Sequence, residues 1–248
     1  MAGIQFFYTF EPHFNSTTDN VTEHIKFDVL EFHLEEGLNR PFTLDIELIS
    51  SDANIDFDAL IDKPAAFTIW QGDTPVRRIH GLISDITLGK SGHRYTRYRV
   101  LVEPSLSRTR IVSDWRIFQQ TPANDILSAV LKANRIDNFE VNTQQKHIAR
   151  EYCIQPGVLD FDFIQRLIAE EGFVYRIDAQ DSAHRLLLTD TIQTFGSVQH
   201  NRNGTPATQK DGEGNRCRIG TQQPEQPTFS RNAPLSAVFL DSGLYLPA

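Results

Sequence analysis

The chain has 248 residues, of which 40% are hydrophobic and 23% charged, with a formal net charge of -8 and a pI of about 5.5. That length can bury a sizeable core, and the composition is that of an ordinary globular protein rather than a disordered one. An acidic chain with no basic stripe is not built to follow phosphates, so no nucleic-acid partner is expected.

At the N-terminus, Met1 to Phe10 lacks the basic and apolar regions of a secretory signal, and no apolar run approaches the length of a membrane span. The expectation is a cytoplasmic protein that makes no direct membrane insertion and that, if it leaves the cell, leaves without a cleaved signal. The sequons at Asn15 and Asn20 carry no meaning without secretory transit. Two cysteines, Cys153 and Cys217, form neither a disulfide framework nor a zinc site by themselves and suit a reducing compartment.

From His24 the apolar residues alternate as Ile25, Phe27 and Val29, then change phase to Leu30, Phe32 and Leu34. One extra residue re-aims every later side chain, so a bulge near Val29 and Leu30 is expected. Gly37 to Arg40 reads as a turn, and Phe42, Leu44, Ile46 and Leu48 then share one face of a strand. A short helical turn is expected around Phe57 to Ile61, and strands at Ala66 to Trp70 and Val76 to Leu88. Gly81 marks a bulge or a close backbone approach. After a turn at Lys90 to Gly92, His93 to Glu103 returns as a strand. There Arg94, Arg97 and Arg99 alternate with Tyr95, Tyr98 and Val100, as on a surface facing solvent or another subunit. Strands at such short spacing predict a small closed or nearly closed barrel.

The pattern changes at Thr121-Pro122, read as an N-cap and first helical residue for a helix reaching about Asn134, with Ile126, Leu127, Val130 and Leu131 on its apolar face. Strands are expected near Phe139 to Val141 and Glu151 to Gln155. Asp160 is read as the cap of a second helix with Phe163, Ile164, Leu167 and Ile168 buried and Gly172 just past its end. Phe173 to Ile177 and Arg185 to Thr189 read as a closing hairpin. From Gly196 to Pro234 only 6 of 39 residues are apolar, too few to offset the entropy of ordering, and the segment is read as disordered. The apolar stretch Leu235 to Leu246 is expected to dock as a strand or to bind a partner.

Catalytic and metal chemistry find little support. Gly89-Lys90-Ser91 resembles the end of a phosphate loop, but Ser84 stands where the first glycine belongs and a strand follows in place of a helix. The histidines lack metal-pair spacing, and His80 and His93 merely flank a turn. Glu170 and Glu171 are adjacent carboxylates, but neighbours on a helix diverge by roughly 100 degrees, and Arg166 four residues before Glu170 is the expected partner. No serine lies in a nucleophile elbow, and Cys153 between Tyr152 and Ile154 reads as a buried, inert thiol. Neither cofactor nor metal nor catalytic residue is expected.

The stretch Arg150 to Gln155, continuing through Asp160-Phe161-Asp162-Phe163 to Glu170-Glu171-Gly172-Phe173-Val174-Tyr175, resembles the central signature of the VgrG family. The matching positions are Cys153, Gln155, Asp160, Asp162, Phe163, Arg166, Leu167, Glu170, Glu171, Gly172 and Tyr175. Upstream, Phe42 to Leu48, Trp70 to Asp73, Arg77 to Gly81 and Arg116 to Gln119 fit the same family, in order, and the match spans roughly Ile25 to Asp190. Pro156 departs from it, standing where an aromatic residue is usual, which puts the turn into the helix in question. The resemblance fades after about Asp190.

What the resemblance implies is a mainly β (α+β) fold like the hub of contractile phage tails, with two small β-barrel subdomains braced by short helices and a disordered C-terminal tail. Residues 1-110 form the first subdomain and residues 111-190 the second, incomplete one with two helices. Residues 191-248 form the divergent tail. The implied role is that of a structural subunit, or a truncated fragment, of the type VI secretion spike and baseplate hub. Such a subunit forms a homotrimer, seats on the Hcp tube protein, and contacts baseplate components and secreted effectors. Two alternatives stay open: an effector-recruiting adaptor, and a degenerate product with no assembly role. An enzyme ranks below all of these.

Overall fold

The computed structural model describes residues 6–13, 26–180 and 182–191, together with two short strand pieces further on. The first six strands are β1 (Phe6–Pro12), β2 (Asp28–Gly37), β3 (Arg40–Ser50), β4 (Pro64–Gln71), β5 (Thr74–Ser91) and β6 (Thr96–Glu103). They close into a barrel in the order β1-β2-β3-β6-β5-β4. Closure is antiparallel throughout, with β1 and β2 meeting at the single pair Thr9 and Asp28. The expected phase change is present, since the β2–β3 register slips between Val29 and Glu31. Phe42, Leu44, Ile46 and Leu48 all point inward and are at most 6% exposed. They join Phe32, Phe67, Tyr98 and Val100 in one core.

Gly81 is a place of close approach. A Cβ there would lie 2.5 Å from a Val102 methyl carbon and 2.8 Å from the Glu103 carbonyl oxygen. The basic strand surface is a set of cross-strand ion pairs, with Arg97 on Glu47 and Arg99 on Asp45. Exposed pairs of this kind contribute little stability and serve mainly to keep the outer face polar.

A 3-10 turn, Ser105–Arg110, leads out of the barrel. Beyond it come β7 (Ser113–Thr121), α1 (Ala123–Ala133), β8 (Phe139–Asn142), β9 (Arg150–Leu159), α2 (Asp160–Glu171), β10 (Val174–Ala179) and β11 (His184–Thr189). The expected second barrel does not form here. These strands make an antiparallel ribbon, β7-β9, and a separate three-stranded sheet, β10-β11-β8, in which β8 runs parallel to β11. Parallel pairing requires a crossover, and the chain between β8 and β11 supplies it with β9, α2 and β10. Ile126, Leu127, Val130, Leu131, Phe163, Ile164, Leu167 and Ile168 fill this second core with Leu186 and Leu188.

Two helix starts differ from expectation. Pro122, not Thr121, is the N-cap of α1, and the Thr121 hydroxyl donates instead to the Gln119 carbonyl. The Pro122 carbonyl accepts the first helical amides, for which its own missing N–H is no loss. Leu159 caps α2, and Asp160 is the first helical residue with its carboxylate turned inward. At the far end Gly172 adopts φ 71°, the left-handed geometry expected of a glycine after a helix. The disordered reading of Gly196 to Pro234 and the docking of Leu235 to Leu246 fall outside the described residues. The exceptions are β12 (Gln209–Lys210) and β13 (Arg216–Cys217), which pair with each other.

Besides Ile177 packed on the barrel core and Arg108 bridging Asp62 to Arg135, two polar contacts join the barrel side to the second unit. Asn39, at the tip of the β2–β3 hairpin with φ 55°, donates its amide to the Tyr175 carbonyl at 2.9 Å and accepts the Tyr175 amide on its side-chain oxygen at 2.7 Å. It thus pairs with β10 as a strand residue would. The second contact is His184 Nε2, which accepts the Ser105 amide at 2.8 Å while the ring lies edge-on to Phe42. Burial, aided by His80 and Arg108, lowers the His184 pKa from 6.5 to about 4. The unfolded chain therefore binds a proton that the folded chain refuses between pH 6.5 and about 4. Stability is full above that window and falls as the pH drops through it, by about 3 kcal/mol when complete. Denaturant midpoints at pH 7.5 and pH 4.5 test this: the drop is expected to shrink in His184→Gln, and an equal drop in both proteins removes His184 as its source.

Candidate functional site

The family-signature residues converge on a buried polar junction where β7, β9, α1 and α2 meet. Asp160 is fully buried, and one carboxylate oxygen accepts from Arg116 at 2.9 Å and from Gln155 at 2.6 Å. Its other oxygen accepts from the Asn134 amide at 2.6 Å. The Asp160 backbone N–H donates to the Val112 carbonyl, so the helix start is held from both sides of the ribbon. Gln155 donates also to the Val158 carbonyl and accepts from Arg116, which uses its side-chain amide fully. The strand period explains the Cys-x-Gln spacing. Cys153 and Gln155 share the inward face of β9, opposite Phe118 and Arg116 of β7.

A second polar knot holds the end of α2. The expected Arg166–Glu170 pair is present, but Glu170 and Glu171 do not diverge as expected, and both also reach the Arg150 guanidinium. Side chains of this length bend back across the angle that separates their Cα–Cβ bonds, and Arg150 lies between them. Burial raises the Glu171 pKa, but hydrogen bonds from Arg150 and His147 outweigh it and leave the value lowered. Arg166 is only 3.7 Å from Glu170, and its close hydrogen bond goes to the Ile154 carbonyl of β9 at 2.8 Å. Asp162 is exposed in the first turn of α2, where a negative charge faces the positive end of the helix dipole. Phe163 and Leu167 are core residues. Tyr175 is fully buried, its hydroxyl accepts from Gln165 at 2.8 Å, and burial pushes its pKa up to about 12.

All eleven signature positions thus belong to one packing unit, and each but the exposed Asp162 is explained by burial, pairing or chain reversal. Sequence reasoning missed Arg116, Asn134, Arg150 and His147 as their partners. Each lies more than 20 residues from the carboxylate it serves, so no local spacing announces it. Pro156 causes no separate turn: β9 runs past it to Leu159 and straight into α2. Gly157, at φ 70°, gives the Trp115 ring room to lie on the backbone, and a Cβ there would come within 2.7 Å of it.

The outer face of the ribbon is apolar. Trp115 is 77% exposed, Ile117 66%, Tyr152 60% and Ile154 49%, with Ile117 and Ile154 directly cross-strand. At the entry to β7, Ile111 is 83% exposed and also lines a groove of about 420 Å³ between the barrel and the second unit. Among the described residues no group of three or more His, Cys, Asp or Glu is placed to hold a metal ion, and no helix is long and apolar enough to cross a membrane.

Comparison with known proteins agrees with this architecture. A family model described as phage tail baseplate hub (GPD) matches residues 35–225. The type VI secretion system spike proteins VgrG2b and VgrG2a of Pseudomonas aeruginosa are each 42% identical to the chain over 168 residues, 68% of its length. The chain spans only 16% and 20% of those two proteins. Among solved structures, the E. coli c3393 protein, described as a component of the type VI secretion system with structural similarity to T4 tail proteins, superposes with a TM-score of 0.65. Its identity is 23%, and the match covers 79% of this chain and 50% of that one. A Francisella PdpA-VgrG complex matches at a TM-score of 0.53 and 12% identity, over 78% of this chain and 32% of its own. With the ordered signature, the barrel and the hub match in agreement, the chain belongs to the phage tail baseplate hub family.

Proposed function

We propose that the chain is a non-catalytic structural subunit of a type VI secretion spike and baseplate hub, which assembles as a homotrimer and seats on the Hcp tube. The observation that carries this reading is the 42% identity to VgrG spike proteins over 168 residues, 68% of the chain. Support also comes from the fate of the ionisable groups. Asp160, Glu170 and Glu171 are each engaged by arginines that knit secondary structure together, an arrangement suited to holding shape rather than to moving protons. The role is mechanical, and passage out of the cell with the contracting apparatus needs no membrane insertion by this chain. Light scattering on the purified chain, followed by co-sedimentation with Hcp rings, tests the proposal. A mass of three chains and binding to the rings are expected. A strictly monomeric chain at high concentration that ignores Hcp refutes it, as does hydrolytic turnover abolished by a single substitution.

A further inference from the structure

We infer that the exposed face of the β7-β9 ribbon is the surface through which one copy of this chain meets the next; the inference rests on the trimeric reading above. A two-stranded sheet is not stable alone, and this one is packed on a single side only. Its inward residues Phe118, Cys153 and Gln155 face the second core, while Trp115, Ile117, Gln119, Tyr152, Ile154 and Pro156 alternate outward. No charged residue lies among those six, and Arg150, next in the same alternation, is engaged by Glu170 and Glu171 of α2. A solvated strand would alternate apolar-in with charged-out, as β3 and β6 do with their carboxylates and arginines.

The size of the face decides between a stray patch and an interface. From the exposures of Trp115, Tyr152, Ile117 and Ile154, the apolar surface comes to about 450 Å². As one contiguous patch that matches the largest a monomer typically leaves exposed, roughly 300–600 Å² and often functional. It is also more than half of the roughly 800 Å² per partner of a standard interface. Trp and Tyr beside branched aliphatics is the composition of an interface centre, and an uncharged face is compatible with another copy of an acidic chain as a charged one is not. The net charge of -8 makes copies repel at long range, so a neutral contact face is where they can approach.

In a three-membered ring each junction joins this face to a different surface of the neighbour. Every copy therefore contributes the face once, and one substitution per chain weakens all three junctions. Ile117→Glu places a charge at the centre of the face, and Tyr152→Lys does so from the other strand. Both side chains are already largely in solvent, so circular dichroism and the unfolding midpoint are expected to match those of the parent chain. Light scattering then reads the result, with Tyr152→Lys deciding should Ile117→Glu fail to fold. A parent of three-chain mass and variants of one-chain mass support the inference. A parent and variants that all keep three-chain mass overturn it, assign the face to some other occupant and leave the trimeric hub reading standing. A monomeric parent sinks both.

Discussion

Asp160→Ala is expected to destabilise the second unit by about 3–5 kcal/mol, the cost of removing one partner from a buried ion pair. The carboxylate is wholly inaccessible and serves Arg116, Gln155 and Asn134 at once. Without it, Arg116 keeps a guanidinium that is only 20% exposed, with just Asp114 and the Gln155 oxygen to pair it. The Gln155 and Asn134 amides also lose one of their two acceptors each, keeping only the Val158 and Val130 carbonyls, and a buried N–H left unsatisfied costs about 1–3 kcal/mol. Asp160→Asn retains the shape and one acceptor oxygen, so its loss should be smaller. Urea unfolding followed by far-ultraviolet dichroism measures both. A loss below 1 kcal/mol for the alanine variant would mean that the junction is incidental to the fold.

The second large effect is expected at Phe67, which is 1% exposed on β4. Its ring stacks on Tyr8 of β1 with centroids 6.2 Å apart and lies 4.7 Å from Phe32 of β2. The β1–β2 seam, where the barrel closes, is registered at a single residue pair, Thr9 with Asp28. Aromatic packing behind the seam therefore does much of the work that ladder hydrogen bonds do elsewhere. Truncating Phe67 to alanine opens a cavity and should cost about 3–5 kcal/mol. Hydrogen exchange distinguishes the consequence: protection should fall first in β1 and β4, while α1 and α2 retain theirs. Uniform loss over both units would show that the two cores unfold as one.

Much of the barrel was legible because its strands are half-buried and the two-residue period survives in the sequence. Phe42 to Leu48 alternates without a break, and the slip at Val29 is visible as a change of phase. The helices were equally plain from Ile126 to Leu131 and from Phe163 to Ile168. What did not show was long-range. The layout of the second unit turns on β8 lying parallel to β11, a pairing across 47 residues that no local pattern encodes. The family resemblance supplied a barrel in its place, where the described strands form two separate sheets. Asp160 was misassigned for a related reason. An aspartate ahead of an apolar run is usually a cap, and only Arg116 and Asn134, from other elements, reveal that this one is a buried anchor. The same blindness hid Arg150 as the shared partner of Glu170 and Glu171. Burial of Cys153 and the absence of a cap from Thr121 illustrate the two outcomes side by side: the first depends on period alone, the second on one residue of phase.

The bond pair between Asn39 and Tyr175 carries a geometric consequence. A hairpin tip that completes a neighbouring sheet behaves as a mitre joint, fixing the angle between two rigid bodies at a single peptide unit. Where several copies are set around an axis, an error in that angle is repeated in every copy, and a ring tolerates very little of it before its last gap fails to close. The left-handed backbone of Asn39 is thus, with the His184 contact, one of the places where the angle between the two units is set.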